Sequence, residues 1–152
     1  MAIIKQITIC KSETYLSIYP ESKNEIGLYV AHTPCFTVPM NDIRGVENII
    51  DRALQNSNSG IHATEDTAKD VLKELHIKSW NRLYKSYKII ALSLTDEHFL
   101  VTPYIYTTKG MFPNSDAKMR FNIGDYENAV IYILELWIIA ANKPTYIPNK
   151  IS

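Results

Sequence analysis

The chain has few residues of the kinds that build covalent scaffolds or phosphate loops. It carries two cysteines, Cys10 and Cys35, in 152 residues. That is too few for a disulfide-dense secreted scaffold or a four-cysteine zinc site. Its five glycines, Gly27, Gly45, Gly60, Gly110 and Gly124, are well separated. A backbone cradle for phosphate needs them clustered, and neither G-x-x-x-x-G-K-[ST] nor G-x-G-x-x-G occurs. A G-x-S-x-G elbow is absent too. Net charge is zero, from 16 basic and 16 acidic residues. That argues against a general, strongly basic nucleic-acid binder. The N-terminal apolar stretch is interrupted by Lys5 and Gln6, so it does not read as a secretory signal. The longest helical apolar run, 129–141, contains Glu135 and falls short of the about 20 residues a membrane span requires. These absences point to a cytoplasmic protein with reduced thiols and no membrane segment.

A large apolar fraction is present. Hydrophobic residues make up 46% of the chain and aromatics 11%, enough to fill a core. The length suits a single domain spanning 1–152. Three β-rich stretches open it, Ala2–Cys10, Thr14–Tyr19 and Ile26–His32, with PESKNE (20–25) read as the turn between the last two. A short fourth strand, Phe36–Val38, is bracketed by Pro34 and Pro39. Asn41 or Asp42 caps the following helix, whose Val46, Ile49, Ile50, Ala53 and Leu54 share one face. It stops at Asn56–Gly60. A second helix runs from about Thr64 to Leu75, with Ala68, Val71, Leu72 and Leu75 as its apolar stripe.

Strands return at Tyr87–Leu94 and Phe99–Thr107, joined by a hairpin loop at 95–98. Pro103 marks the second of these as an edge or bulged strand. Residues 109–117 read as an exposed loop, and Lys118–Ile123 as a short strand. Asp125 caps a closing helix with Val130, Ile133, Leu134, Trp137, Ile138 and Ala141 on its apolar face, ended by Lys143-Pro144. The expected fold class is therefore α+β: an antiparallel sheet of about six to seven strands in two strand-helix halves, 1–60 and 77–142, with the helices packed on the sheet. A thin internal echo links Val46-Glu47-Asn48 with Tyr126-Glu127-Asn128, eighty residues later.

Catalytic patterns are sparse. The four histidines, His32, His62, His76 and His98, lack metal-ligand spacing, and there is no HExxH. No cofactor or metal is expected. Glu65-Asp66 and Asp96-Glu97 are explained by a helix start and a hairpin. Cys35 near His32 is the one nucleophile–base pairing worth a test, although a strand-borne cysteine is far more often a small packed residue. The sequence offers no positive support for an enzyme.

Charge becomes informative when divided. Residues 1–76 hold 7 basic and 10 acidic side chains, residues 77–152 hold 9 and 6. In the acidic half, Asp66, Asp70 and Glu74 lie four apart and form a ridge on one helix, a surface suited to a basic protein partner. In the basic half, Lys78, Arg82, Lys85 and Lys88 interleave with Trp80, Tyr84 and Tyr87. That mixture of cations and stacking rings is also the grammar of single-stranded nucleic-acid binding, through Lys78, Arg82, Tyr84, Lys85 and Tyr87. The alternative is that Trp80, Leu83 and Tyr84 pack while the cations face water.

The segment Ser79-Trp80-Asn81-Arg82-Leu83-Tyr84-Lys85, followed by YKIIALSL, FLVTPYIYT, a loop, a short strand and a closing helix, resembles the small immunity proteins of bacterial contact-dependent growth-inhibition systems. The resemblance covers about residues 78–141. It implies a non-catalytic antitoxin that binds the C-terminal toxin domain of a neighbour's delivered protein, often a nuclease. It supplies no universal binding residues, so the partner-binding expectation rests on Asp66, Asp70 and Glu74. A single-stranded nucleic-acid binder is the alternative.

Overall fold

The computed structural model describes residues 2–142, with side chains through Leu136. The closing-helix positions Trp137, Ile138 and Ala141 and the Lys143-Pro144 stop fall outside the described side chains or residues. The expected α+β class holds, with eight strands rather than six or seven. In chain order these are β1 Lys5–Lys11, β2 Tyr15–Lys23, β3 Tyr29–Ala31, β4 Phe36–Pro39, then helices α1 Ile43–Asn56, α2 Glu65–Leu75 and α3 Trp80–Ser86. There follow β5 Lys88–Leu94, β6 His98–Thr107, β7 Gly110–Pro113, β8 Met119–Asn122 and helix α4 Tyr126–Asn142.

The strands form one antiparallel sheet in the order β3-β2-β1-β5-β6-β7. On its outer side β2 pairs with β4 through residues 15–18 and with β3 through residues 21–23. Likewise β6 pairs with β8 through residues 98–101 and with β7 through residues 104–107. Strands β1 and β5 join the halves, with Thr8 opposite Ala91 at the middle of their register. The halves thus repeat one layout.

Two prolines expose the logic of that layout. The sequence pattern predicts a turn over 20–25, yet β2 runs through Pro20. Pro20 lies between Ile18, paired to Phe36, and Glu21, paired to Ala31, where the outer neighbour changes from β4 to β3. No ladder there needs the N–H that proline lacks. Its carbonyl still accepts from the His32 N–H at 3.0 Å. Pro103 occupies the same junction in β6, between β8 and β7, and its carbonyl accepts from the Asn114 N–H at 2.8 Å. It is therefore neither on an outer edge strand nor in a bulge. An offset of 83 residues carries Pro20 onto Pro103. The same offset carries the buried Val46, Ile49, Ile50 and Ala53 onto the buried Ala129, Tyr132, Ile133 and Leu136. The elements of the halves therefore correspond at an offset of 83, which sets Val46 against Ala129 rather than Tyr126.

The strand period of two sends alternate residues to opposite faces. Ile7, Ile9, Leu16, Ile18, Ile90, Leu92, Phe99 and Val101 face α1 and α4 and make the larger core. Cys10, Tyr19, Ala31 and Ile89 face α2 and α3 and make a smaller one with Val71 and Leu83. Helices cover both faces of the sheet.

Helix α1 follows its periodicity in full: all five expected residues are buried, and the Asp42 carboxylate caps it by accepting from the Gly45 N–H at 2.9 Å. Gly45 is required by space. A Cβ there would come within 2.7 Å of the Val38 Cγ2 methyl and would collide with the capping Asp42 side chain. Gly45→Ala should therefore destabilise by about 1–2 kcal/mol despite alanine's better helix propensity. A thermal midpoint equal to or above wild type would show that the cap simply moves aside.

Other boundaries differ from expectation. Residues 110–113 of the expected loop form β7, and 115–117 form a 3-10 turn. Asp125 lies in a 3-10 turn, Ile123–Asp125, that runs directly into α4, so it is inside the helical run rather than its cap. Helix α3 was not anticipated as a helix. Ser79 caps it, accepting from the Arg82 N–H at 3.2 Å, and only Leu83 of its residues is fully buried.

Candidate functional site

The acidic ridge lies on α2. Thr64 caps this helix in a capping box with Thr67, and the Thr67 hydroxyl also donates to the Ala31 carbonyl at 2.9 Å, fixing the helix against β3. Val71 and Leu72 are buried beneath it, with Ala68 and Leu75 half-buried beside them, as the stripe required. Asp66, Asp70 and Glu74 all lie on its exposed side. They do not have equal freedom. The Glu74 carboxylate accepts from the Cys35 N–H at 2.7 Å and so ties the helix to the loop after β3. Asp66 and Asp70 make no such tie among the side-chain bonds described, and they leave the ridge's first two turns presented to solvent.

The same contact works against the Cys35 and His32 pairing as a thiolate and base. The Cys35 thiol is pushed up to about 12, by burial first and by the Glu74 carboxylate second. His32 is buried, with Nε2 2.6 Å from the Ser22 hydroxyl and Nδ1 2.8 Å from the Thr33 carbonyl. Burial lowers its pKa. Nε2 holds the chain after β3 to β2, and Nδ1 is engaged by the adjacent Thr33 carbonyl.

The basic segment divides as its packing alternative anticipates. Trp80 stacks on Tyr84 with ring centroids 6.1 Å apart and meets Tyr19 edge-on at 5.9 Å. Tyr84 continues the series to Tyr106 at 6.3 Å. The Tyr87 hydroxyl lies 2.7 Å from that of Tyr15. The rings that would stack bases are thus engaged with one another across α3, β2 and β6. Lys78, Arg82 and Lys85 are exposed. Lys78 and Arg82 line a cavity of about 330 Å³ with His76, Ile77, Ser86 and Tyr87.

One polar group was missed by the sequence reading because it lay in the supposed turn. Glu21 is on β2 with Tyr19, on the face shared with α2 and α3. Its carboxylate accepts from the Gln6 side-chain amide at 2.7 Å, and Gln6 in turn accepts from the Ser93 hydroxyl at 2.8 Å. Burial raises the Glu21 pKa, opposed by the hydrogen bonds from Gln6 and Thr8. Its charge helps to raise the phenols of Tyr19, Tyr84 and Tyr104, where burial is the largest cause. Alternation after Tyr19 was the available signal, and Pro20 obscured it.

Among the described residues no three His, Cys, Asp or Glu side chains gather to hold a metal ion. No described helix is long and apolar enough to cross a membrane.

An antiparallel sheet with paired outer strands, built as two similar strand-helix halves and covered by helices on both faces, defines the α+β class to which this chain belongs. That fold occurs in solved structures. One is a protein of unknown function from Neisseria meningitidis, with a TM-score of 0.62 and 13% identity over 87% of this chain and 92% of the other. Another is a chain of the CdiA-CT/CdiI toxin and immunity complex from Yersinia pseudotuberculosis, with a TM-score of 0.59 and 10% identity over 90% and 98% respectively. No protein-family model matches the sequence. No curated protein matches it either. At these identities the likeness is one of fold.

Proposed function

We propose that this chain is an immunity protein: it binds a cognate toxin domain delivered by neighbouring bacteria, neutralises it in the cytoplasm, and performs no catalysis of its own. The supporting observation is the fold likeness to a chain of a toxin and immunity complex over nearly the whole of both molecules. It coincides with the resemblance carried by the 78–141 segment. A nuclease is the kind of toxin that suits an acidic contact surface, because proteins that grip nucleic acid carry basic clefts.

The contact we assign is the α2 ridge of Asp66, Asp70 and Glu74. Asp66 and Asp70 supply long-range attraction, while Glu74 contributes from a position held by the Cys35 backbone. The decisive experiment is protection: cells producing the cognate toxin domain should grow only when the chain is co-expressed. Growth arrest by this chain alone would place it on the toxin side of such a pair. In the purified complex, Asp66→Lys with Asp70→Lys should slow association about 10-fold at low salt, with the difference shrinking as salt rises. Unchanged association, with the fold intact by circular dichroism, would remove the ridge from the interface.

A further inference from the structure

Two cavities adjoin where α2 gives way to α3. Helix α2 ends in a turn at His76, whose backbone is left-handed at φ 58°, and the Ile77 N–H reaches back to the Leu72 carbonyl at 3.0 Å. The turn packs Ile77 against the smaller core and leaves Lys78 in solvent. Ser79 then caps α3, on which Arg82 and Ser86, four residues apart, share a face. Lys78, Arg82 and Ser86 meet His76, Ile77 and Tyr87 around the first cavity, of about 330 Å³. Among the described residues no acidic side chain lines it, so Lys78 and Arg82 set its potential.

The second cavity, of about 230 Å³, shares His76, Ile77 and Tyr87 with the first. Its lining is of another kind. Leu75, Ile77 and Leu83 supply apolar surface, while Tyr15, Ser17 and Thr37 supply hydroxyls. Ser17 pairs with Thr37 at 3.0 Å and Tyr15 with Tyr87 at 2.7 Å. Each pair uses one of its two hydroxyl protons and leaves the other to donate elsewhere. Glu74 is the acidic group here, and beyond the bond it accepts from the Cys35 N–H its carboxylate has lone pairs for more.

The joined cavities are thus divided by charge. A doubly charged oxyanion suits the Lys78 and Arg82 end, because an ammonium and a guanidinium fork both bond phosphate oxygens. Hydroxyls, a carboxylate acceptor and apolar surface suit an uncharged body that carries O–H groups. Glu74 repels the anion, which fixes the end that enters each cavity. We propose that the joined cavities bind a small phosphomonoester of a hydroxylated organic molecule, its phosphate on Lys78 and Arg82 and its body beside Glu74 and Leu75. A sugar phosphate and a nucleotide share that chemistry. The site stands apart from the immunity reading and is tested without a toxin.

Ribose 5-phosphate is the first probe, titrated into the full chain at constant ionic strength and followed by the backbone amide resonances of residues 74–87. Saturable shifts should appear. Inorganic phosphate should bind at least about 10-fold more weakly, because it leaves the second cavity empty, and ribose alone should not bind. Lys78→Ala with Arg82→Ala should weaken ribose 5-phosphate at least about 10-fold. Both side chains are exposed, so the fold should persist, which circular dichroism checks. Lys118→Ala removes an exposed charge that lines neither cavity and should leave the affinity unchanged. Absence of saturable shifts, equal affinity for phosphate and ribose 5-phosphate, or an equal loss in Lys118→Ala would each overturn the proposal. Adenosine 5′-monophosphate is the second probe. Tighter binding than ribose 5-phosphate assigns the site to a nucleotide, and equal or weaker binding assigns it to a sugar phosphate. A single-stranded oligonucleotide that binds more tightly than either, with affinity falling steeply as salt rises, would give the cations to a nucleic-acid strand and overturn the proposal.

Discussion

Ile50→Ala and Ile133→Ala should each cost about 2–5 kcal/mol of stability, the usual penalty for emptying a fully buried isoleucine site. Both side chains are completely buried and belong to the same cluster, Ile50 on α1 and Ile133 on α4. They correspond at the 83-residue offset, so similar losses are expected from both. Denaturant titration followed by tryptophan fluorescence and far-ultraviolet circular dichroism should show one coincident transition with an unchanged slope. The pairing of β1 with β5 carries the sheet through both halves, and we take the chain to be one cooperative domain on that ground. Two separated transitions in Ile133→Ala would mean that the second half unfolds by itself. A loss below about 1 kcal/mol at either site would break the equivalence of the two helices.

Lys11→Met should stabilise the protein at and below neutral pH by about 3 kcal/mol, with the gain disappearing in alkali. Lys11 has no exposed surface. Its ammonium donates to the main-chain carbonyls of Ile133 at 2.6 Å and Leu134 at 2.8 Å, consecutive residues of α4. Its neighbour across the β1–β5 register is another lysine, Lys88. Burial first, and the Lys88 charge second, lower its pKa to about 7 from an ordinary 10.5. The unfolded chain therefore binds one more proton than the folded chain between those values, and wild-type stability should climb as pH rises from about 7 towards 10.5. Below about 7 the ammonium is charged in both states and the folded state bears the full penalty of burying it. Methionine fills a similar volume without charge and should flatten that slope. Thermal midpoints at pH 6, 8 and 10 for the two proteins test this. An equal gap at all three values would mean that Lys11 remains charged throughout.

Much of the fold is legible in residues that act locally. The five apolar positions of α1 recur at helical spacing and Asp42 lies where a cap is needed, so that helix follows from its own segment. The strands 88–94 and 98–107 read correctly because their hairpin loop joins sequence neighbours. The ridge of Asp66, Asp70 and Glu74 is equally local: four-residue spacing on any helix places them together. That Glu74 is tied to Cys35 is not local, since Cys35 belongs to a loop brought beneath α2 by β3.

The differences at Pro20 and Pro103 share one cause. Proline breaks a ladder when its missing N–H is needed, and the sequence cannot say whether it is. In β2 and β6 it is not needed, because each strand changes its outer partner at that residue. Reading Pro20 as the start of a turn removes Glu21 from the sheet and hides its pairing with Gln6. Reading 109–117 as a loop hid β7 for a related reason: a four-residue edge strand is defined by its partner more than by its own side chains. The sequence by itself determined that the chain folds as α+β, where α1 begins, and that acidic residues line one face of α2, because propensity, capping and periodicity act within a few residues. Only the tertiary structure decided that Pro20 and Pro103 sit at matched junctions, that Lys11 is buried against α4, and that Glu21 meets the Gln6 amide. Each of those depends on which distant segment comes to lie beside it, and burial in the assembled core sets its energetic consequence.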